Sequence, residues 1–232
     1  MKFSIVIPVL NEESEIEKFL STLETFKEHG EIILVDGGSQ DNTITIAVPL
    51  VDKIIKSSRG RAKQMNAGAQ AANGKILLFL HADTYLPSNA LTLIEQGLSQ
   101  HYQWGRFDIK LSGPHFMFLV IAQCMNWRSR LTGISTGDQA LFVQKLVFNQ
   151  AGKFPEIPLM EDIAICKNLK SFGPPLRLKA KITTSSRRWE QFGIIRTILL
   201  MWWLRLLYFL GYNPETLAQL YSRGIFWKTS SD

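Results

Sequence analysis

The sequence predicts an α/β fold: a mainly parallel sheet flanked by helices on both faces. Three observations carry this reading. Short β-branched or apolar runs such as "SIVIPV", "EIILV" and "KILLFL" alternate with helix-like segments through residues 1–100, the pattern of strand–helix–strand units. The runs are apolar enough to be buried strands rather than half-exposed ones. Carboxylates then follow the strands, with Asp36 closing "EIILVD" and Asp83 closing "KILLFLHAD". In open α/β sheets ligands bind beyond the carboxyl ends of the strands.

Taken in order, residues 4–9 form the first strand. "NEESEIEKFLSTLETFKEHG" follows and spaces Ile16, Phe19, Leu20, Leu23 and Phe26 for one helical face, with Ser14 and Glu17 as a capping box and Gly30 as the stop. "EIILV" is the second strand and runs into "DGGSQDNT"; a short strand is expected near 53–55. "RAKQMNAGAQAANG" is a small-residue helix closed by Gly74, and residues 76–80 form a strand that ends in His81-Ala82-Asp83. A helix over 89–100 completes this half. Beyond it, "WGRFDIKL" and "DQALFVQK" read as strands, 116–130 and "MEDIAICKNLKSFG" as helices, 176–184 as extended, and 189–210 as one long apolar helix. Residues 1–188 are therefore expected to form one catalytic domain, with 1–100 the nucleotide half and 101–188 the half that meets its acceptor; 189–232 would be a helical extension.

With 232 residues, 46% apolar and 20% charged, the composition is that of an ordinary globular protein. The formal charge of +6 suits an anionic partner (a nucleotide diphosphate, a nucleic acid or lipid headgroups) as well as a plain solvated basic surface. Cys124 and Cys166 are too few for a disulfide framework, and buried free thiols in a reducing compartment are expected. The opening "MKFSIVIPVLNEE" does not read as a signal peptide. In residues 193–212 the apolar run is broken by Arg196 and Arg205, too short and too charged for a span of about 20 apolar residues. Trp202, Trp203, Tyr208 and Phe209, with arginines nearby, suit a membrane interface; the same helix could also pack on the sheet or form a dimer contact.

Motifs narrow the chemistry. There is no G-x-G-x-x-G after the first strand, no phosphate-binding P-loop and no G-x-G-T-R opening. Asp36 and Glu12 offer acceptors for a base and ribose hydroxyls, although Glu12 would also serve as a helix cap. Gly37 and Gly38 permit close backbone approach. Arg59, Arg61 and Lys63 stand where helix amides already favour anions, with Asn66 one turn further on. His81 and Asp83 alternate about Ala82, so both can face one side and offer ligands to a hard divalent cation bound with a diphosphate; a satisfied histidine and a turn-capping aspartate are the plainer alternative. Glu161 and Asp162 open a helix, where one can take a proton and the other anchor the loop, or both can simply complement the dipole. Arg188 fits a phosphate contact and Trp189 an aromatic platform or a core residue. Asp138 and Gln139 fit a sugar contact or a turn.

In this order, "IVIPVLNEE", "ILVDGGSQDNT", "RGRAKQMNAGAQAANG", "FLHADT", "EDIAICKNL" and "SSRRW" resemble glycosyltransferase family 2. Gly37 replaces the second aspartate of V-D-D-G-S-x-D-x-T, His81 the first aspartate of D-x-D, and Ser185 the glutamine of Q-x-x-R-W. With "STGDQALFV" and "IPLMEDI", the series is similar to a small bacterial subfamily often named after arsenosugar biosynthesis. The resemblance implies a GT-A-like fold and metal-assisted transfer of a sugar from a nucleotide-diphosphate sugar to an acceptor hydroxyl, with inversion at the anomeric carbon. It implies Asp162 as base beside Glu161, and Mn²⁺ or Mg²⁺ on Asp83 with His81, the imidazole favouring Mn²⁺. The implied nucleotide-sugar contacts are Pro8, Leu10, Glu12, Asp36, Arg61, Lys63, Asn66, Ala82, Asp83, Arg188 and Trp189. The expected setting is cytoplasmic, or the inner face of the membrane if the apolar helix lies on it, in which case the donor or acceptor would be lipid-linked. A nucleotide-sugar-binding protein without turnover is the alternative. Nucleic acid is not expected, because the cluster 59–63 lacks interleaved aromatics.

Overall fold

The computed structural model describes residues 2–223. Among these residues eight strands form one sheet: β1 (Phe3–Val9), β2 (Gly30–Asp36), β3 (Lys53–Lys56), β4 (Ile76–Phe79), β5 (Thr84–Tyr85), β6 (Trp104–Leu111), β7 (Phe142–Gln144) and β8 (Leu176–Thr184). Their order across the sheet is β3-β2-β1-β4-β7-β6-β8-β5. Side-chain alternation divides the interior. Phe3, Ile5, Ile7 and Val9 of β1, with Ile32, Leu34, Ile76 and Leu78, enter one core; Val6, Ile33, Val35, Leu77 and Phe79 enter the other. Successive strand residues point to opposite faces, and strands apolar on both sides must be covered on both.

The helices are α1 (Ile16–Ser21), α2 (Thr43–Ala47), α3 (Arg61–Ala71), α4 (Ala90–Leu98), α5 (Phe116–Thr132), α6 (Lys145–Gln150), α7 (Glu161–Leu169), α8 (Arg187–Phe192), α9 (Ile194–Phe209) and α10 (Pro214–Arg223). α1 and α4 cover the first core, while α3, α6 and α7 cover the second. A third cluster joins Met160 and Ile163 to Leu200, Leu204 and Leu207 of α9 and Leu217 of α10. α3 lies very close to the sheet: a Cβ at Gly68 would fall 2.3 Å from Val6 Cγ1. From the same helix the buried Gln64 amide donates to the carbonyls of Val9 (2.9 Å) and Val35 (2.8 Å), where β1 and β2 end. Buried backbone carbonyls need such partners.

β1, β2, β3 and β4 are parallel, as are β6 and β8. The expected mainly parallel sheet holds with two reversed strands: β7 runs antiparallel between β4 and β6, and β5 antiparallel to β8. β6 carries the least expected feature. Arg106 and Asp108 alternate on this buried strand, both almost wholly enclosed, and Asp108 accepts from Arg106 and from Arg130 of α5. Asn126 of α5 accepts from Ile109 N (2.9 Å) and donates to Ile109 O (3.0 Å). Polar bonds thus fasten α5 to β6.

Several local expectations are corrected. Ser14 and Glu17 form no capping box; α1 starts at Ile16 after Glu15, and its first turn is held by Glu12 O, which accepts from Glu15 N (3.0 Å) and Ile16 N (2.9 Å). α1 stops at Ser21, yet Leu23 and Phe26 stay buried because a tight turn over 24–26 continues the apolar face. Gly30 begins β2 rather than ending a helix. The strand expected over 76–80 closes at Phe79. The single helix expected over 189–210 is divided at Gly193, whose φ of 85° lies in the left-handed region that glycine tolerates. Cys166 is buried, but Cys124 is exposed, because its side of α5 has no element over it. The end of the expected extension, 224–232, lies outside the described residues.

Removing one member of a buried charge cluster strands the others without compensation. Asp108→Ala is expected to lower stability by about 3–5 kcal/mol, measured by urea unfolding, whereas Lys110→Ala, at an exposed position near the end of the same strand, is expected to change it by less than about 0.5 kcal/mol.

Candidate active site

A cavity of about 840 Å³ opens beside the carboxyl end of β4, between α5, α7, α8 and α9. One wall begins where β4 ends. Leu80 N still donates to Val6 O (3.0 Å), after which a turn closed by Thr84 N to His81 O (3.0 Å) presents His81 and Asp83 to the cavity. Ala82 turns into the first core. Opposite, α7 begins at Glu161 directly after Met160, whose φ of 70° is unusual for a residue with a side chain. That bend brings Glu161 and Asp162 into the cavity together.

Gly137 joins the two walls. Its amide donates to Asp162 Oδ2 (3.2 Å), and a Cβ there would fall 2.4 Å from His81 Cε1. The imidazole therefore packs on a residue whose amide also holds the Asp162 carboxylate; Asp162 Oδ1 accepts from Ile163 N (2.7 Å). Electrostatics follow from enclosure. Burial, then the neighbouring Asp162, pushes Glu161 up to about 7. Burial raises Asp162 as well, against the amides and Arg205 that favour its charge. Burial and then Arg61 lower His81, which keeps the ring neutral near pH 7. Burial also raises Glu12, partly opposed by Arg187 at 3.8 Å.

Of the residues singled out from the sequence, Glu12, Arg61, His81, Asp83, Glu161, Asp162, Arg188 and Trp189 line this cavity. Pro8, Leu10, Asp36, Lys63, Asn66 and Ala82 are not among its lining. Asp36 ends β2, buried, and accepts from Ser39 N (2.9 Å). Lys63 is exposed, its stem near Gly60. Asn66 is engaged elsewhere: its amide donates to Phe154 O (2.8 Å) and its carbonyl accepts from Phe154 N (3.1 Å). Gln139 belongs to a turn with Thr136, while Asp138 lines the cavity. The guanidinium of Arg188 lies 4.1 Å over the ring of Tyr221.

The cavity also holds Arg128 of α5 and Arg205 of α9. Burial lowers both, Arg128 to about 10, and Arg128 Nε has no hydrogen-bond partner. Sequence reading passed over Arg128 and treated Arg205 as an interruption of an apolar helix. A lone cation amid apolar residues was the available signal for Arg205; Arg128, in "NWRSR", carried none.

The raised Glu161 acid fixes a sign. Between its ordinary value of 4.5 and about 7, the folded state holds a proton that the unfolded chain has released, so stability falls as pH rises through that window and then levels. Relative to Glu161→Gln, the wild type is expected to lose roughly 3 kcal/mol from pH 4.5 to above 7, read from urea unfolding of both proteins across that range.

Residues 4–140, more than half of the chain, match the model of Glycosyl transferase family 2. A poly(ribitol-phosphate) beta-N-acetylglucosaminyltransferase, TarS of Staphylococcus aureus, is 29% identical over 112 residues, covering 44% of this chain and 20% of that protein. An undecaprenyl-phosphate 4-deoxy-4-formamido-L-arabinose transferase of Photorhabdus laumondii is 26% identical over 113 residues, 44% of this chain and 35% of the relative. The chain thus spans only a minor part of these curated relatives. Among solved structures, TarS 1–349 of S. aureus superposes with a TM-score of 0.63 at 20% identity, covering 85% of this chain and 64% of that one. Glucosyl-3-phosphoglycerate synthase of Mycobacterium tuberculosis, solved with Mg²⁺ and uridine diphosphate, gives 0.62 at 17% identity, covering 85% and 78%. The fold is the one these structures share, a curled, mostly parallel sheet flanked by helices. The chain belongs to glycosyl transferase family 2.

Proposed function

We propose that this protein transfers a sugar from a nucleotide-diphosphate sugar to an acceptor hydroxyl, with Asp162 as the base and inversion at the anomeric carbon. The observation that carries the reading is the contact through Gly137, which sets the His81–Asp83 tip beside the Asp162 carboxylate. A donor diphosphate at that tip would leave its anomeric carbon on the side of Asp162. Glycosyl transfer as such follows from the family; the roles of these residues and the stereochemistry are our assignment. The motifs "IPLMEDI" and "RRWEQFGIIRTILLMWWLRLLYFLGY", beyond residue 140, further suggest the arsenosugar-named subfamily.

Asp83 and His81 are the ligands we assign to a divalent cation. Among the described residues no group of three or more His, Cys, Asp and Glu side chains could hold a metal by itself. Two ligands fit a cation whose shell is completed by phosphate oxygens, the usual mode for nucleotide-bound Mg²⁺ or Mn²⁺. When bound, such a cation neutralises charge on the departing diphosphate. Relatives of this fold solved with Mn²⁺ and a nucleotide sugar or diphosphate are consistent with this use. Arg61, at the start of α3, adds a cation from the cavity wall, and Asp36 and Glu12 would meet the base and ribose. The acceptor's proton goes to Asp162, made more basic by burial. Glu161, raised by burial to about 7, is the neighbour that anchors the loop. The setting is the cytoplasm, where nucleotide sugars are made.

The acceptor side is lined by Ile121, Met125, Leu159, Ile163, Phe192 and Met201, which suits an acceptor with an apolar part. The undecaprenyl-phosphate transferases among the relatives act in that chemical setting, so we favour a lipid-linked acceptor.

Asp83→Ala is expected to abolish the metal-dependent part of uridine or guanosine diphosphate binding while leaving the unfolding midpoint in place. Calorimetric titration with and without Mn²⁺ checks this, and unchanged titration would remove Asp83 from the site. Asp162→Asn keeps the shape and loses the base: transfer, or donor hydrolysis as a first proxy, is expected to fall by roughly 10²-fold or more at nearly unchanged donor affinity. Equal turnover by the two proteins would refute the assignment.

A further inference from the structure

α5 and α9 are apolar on two sides. α9 buries Leu200, Leu204 and Leu207, yet Ile195, Leu199, Trp202, Leu206 and Phe209, spaced three or four residues apart, form a second stripe that is exposed. α5 does the same: Phe118, Ile121 and Ala122 are buried, while Phe116, Leu119, Trp127 and Leu131 are exposed, Leu131 by 79%. The stripes meet. Val120 of α5 and Trp202 of α9 are each exposed and each part of the cavity lining, so exposed apolar surface of both helices borders the active site. Contiguous apolar surface of this kind marks an interaction site.

Charge decides the occupant. The sequences FMFLVIAQCMNWRSRLT and IIRTILLMWWLRLLYF contain no acidic residue; their only charged residues are Arg128, Arg130, Arg196 and Arg205. Arg196 is exposed at the start of the α9 stripe, and at its other end Lys167 Nζ stands 5.1 Å over the rings of Tyr208 and Phe209. Exposed tryptophans beside a leucine-rich stripe, flanked by cations and free of carboxylates, are what a helix lying in the headgroup region of an anionic bilayer requires. A second copy of the chain would bring the same cations against themselves with no acid on either helix to answer them. No helix of the described residues is long and apolar enough to cross a membrane, so the contact is with the surface.

We propose that the outward faces of α5 and α9 dock on an anionic lipid bilayer and hold the mouth of the cavity against it. This goes beyond the transfer reaction and does not depend on the identity of the donor. The test is co-sedimentation of the full chain with vesicles of phosphatidylglycerol and phosphatidylcholine in equal parts, against phosphatidylcholine alone. Binding to the anionic vesicles is expected, with a blue shift in tryptophan emission and weakening at high salt. The double variant Leu119→Glu, Leu199→Glu changes two exposed residues outside the cavity lining and is expected to bind vesicles at least about tenfold more weakly. Its unfolding midpoint and nucleoside diphosphate binding should stay as in wild type, so loss of docking is distinguishable from loss of the fold or of the donor site. Failure of the wild type to bind anionic vesicles overturns the proposal. So does a dimer in ultracentrifugation that the double variant converts to monomer.

Discussion

The fastening of α5 to β6 is the interaction on which the second half of the chain depends. β6 is buried, yet it carries Arg106 and Asp108, and α5 supplies Arg130 and Asn126 to meet them. Charges removed from water are tolerated only when each finds partners. Burial depresses Arg106, against the carboxylate that supports its charge, and Arg106 Nε remains without a partner. The cluster is therefore a poor source of stability compared with an apolar substitute. What it does is specify one position for α5, because only one arrangement satisfies Asp108 from both sides. From that position α5 sends Arg128 into the cavity and leaves its far side exposed.

The cavity repeats the same physics of enclosed charge. Glu161 and Asp162 are adjacent acids in a confined space, and Arg128, Arg188 and Arg205 line the same cavity. Carboxyl groups rise and guanidinium groups fall because burial outweighs mutual attraction. Perturbed acids and bases converging in one cavity are the usual mark of a catalytic site. Strain at Met160 and the close packing of Gly137 on His81 show backbone shaped to hold that geometry.

The apolar surfaces of α5 and α9 belong to the same economy. Each helix has one stripe consumed by the fold and another that the described residues leave uncovered. Leucine and tryptophan facing water are costly to solubility, so a surface of this extent persists only where something covers it in use. Its position bordering the cavity ties the question of what covers it to the question of what enters.

By itself the sequence determined the strands and their burial. Short β-branched or apolar runs between helix-like segments read as buried strands, and β1, β2 and β4 follow "SIVIPV", "EIILV" and "KILLFL" closely. It also determined that His81, Asp83, Glu161 and Asp162 would stand at element ends, since the end of a strand and the start of a helix are local properties. Tertiary structure alone decided which of these ends meet. The antiparallel insertion of β7 between β4 and β6, the Asp108 cluster and the contact through Gly137 join residues far apart in the chain, and no local pattern records such a pairing. Asn66 shows the difference: one turn beyond Lys63 it looked like a ligand contact, but its amide is taken by the backbone of Phe154, 88 residues away. Arg128 shows it again, an unremarkable arginine on a helix until α5 is fixed on β6. Periodicity reports which side of an element is buried; it does not report against what, because that depends on energies summed over contacts between distant segments.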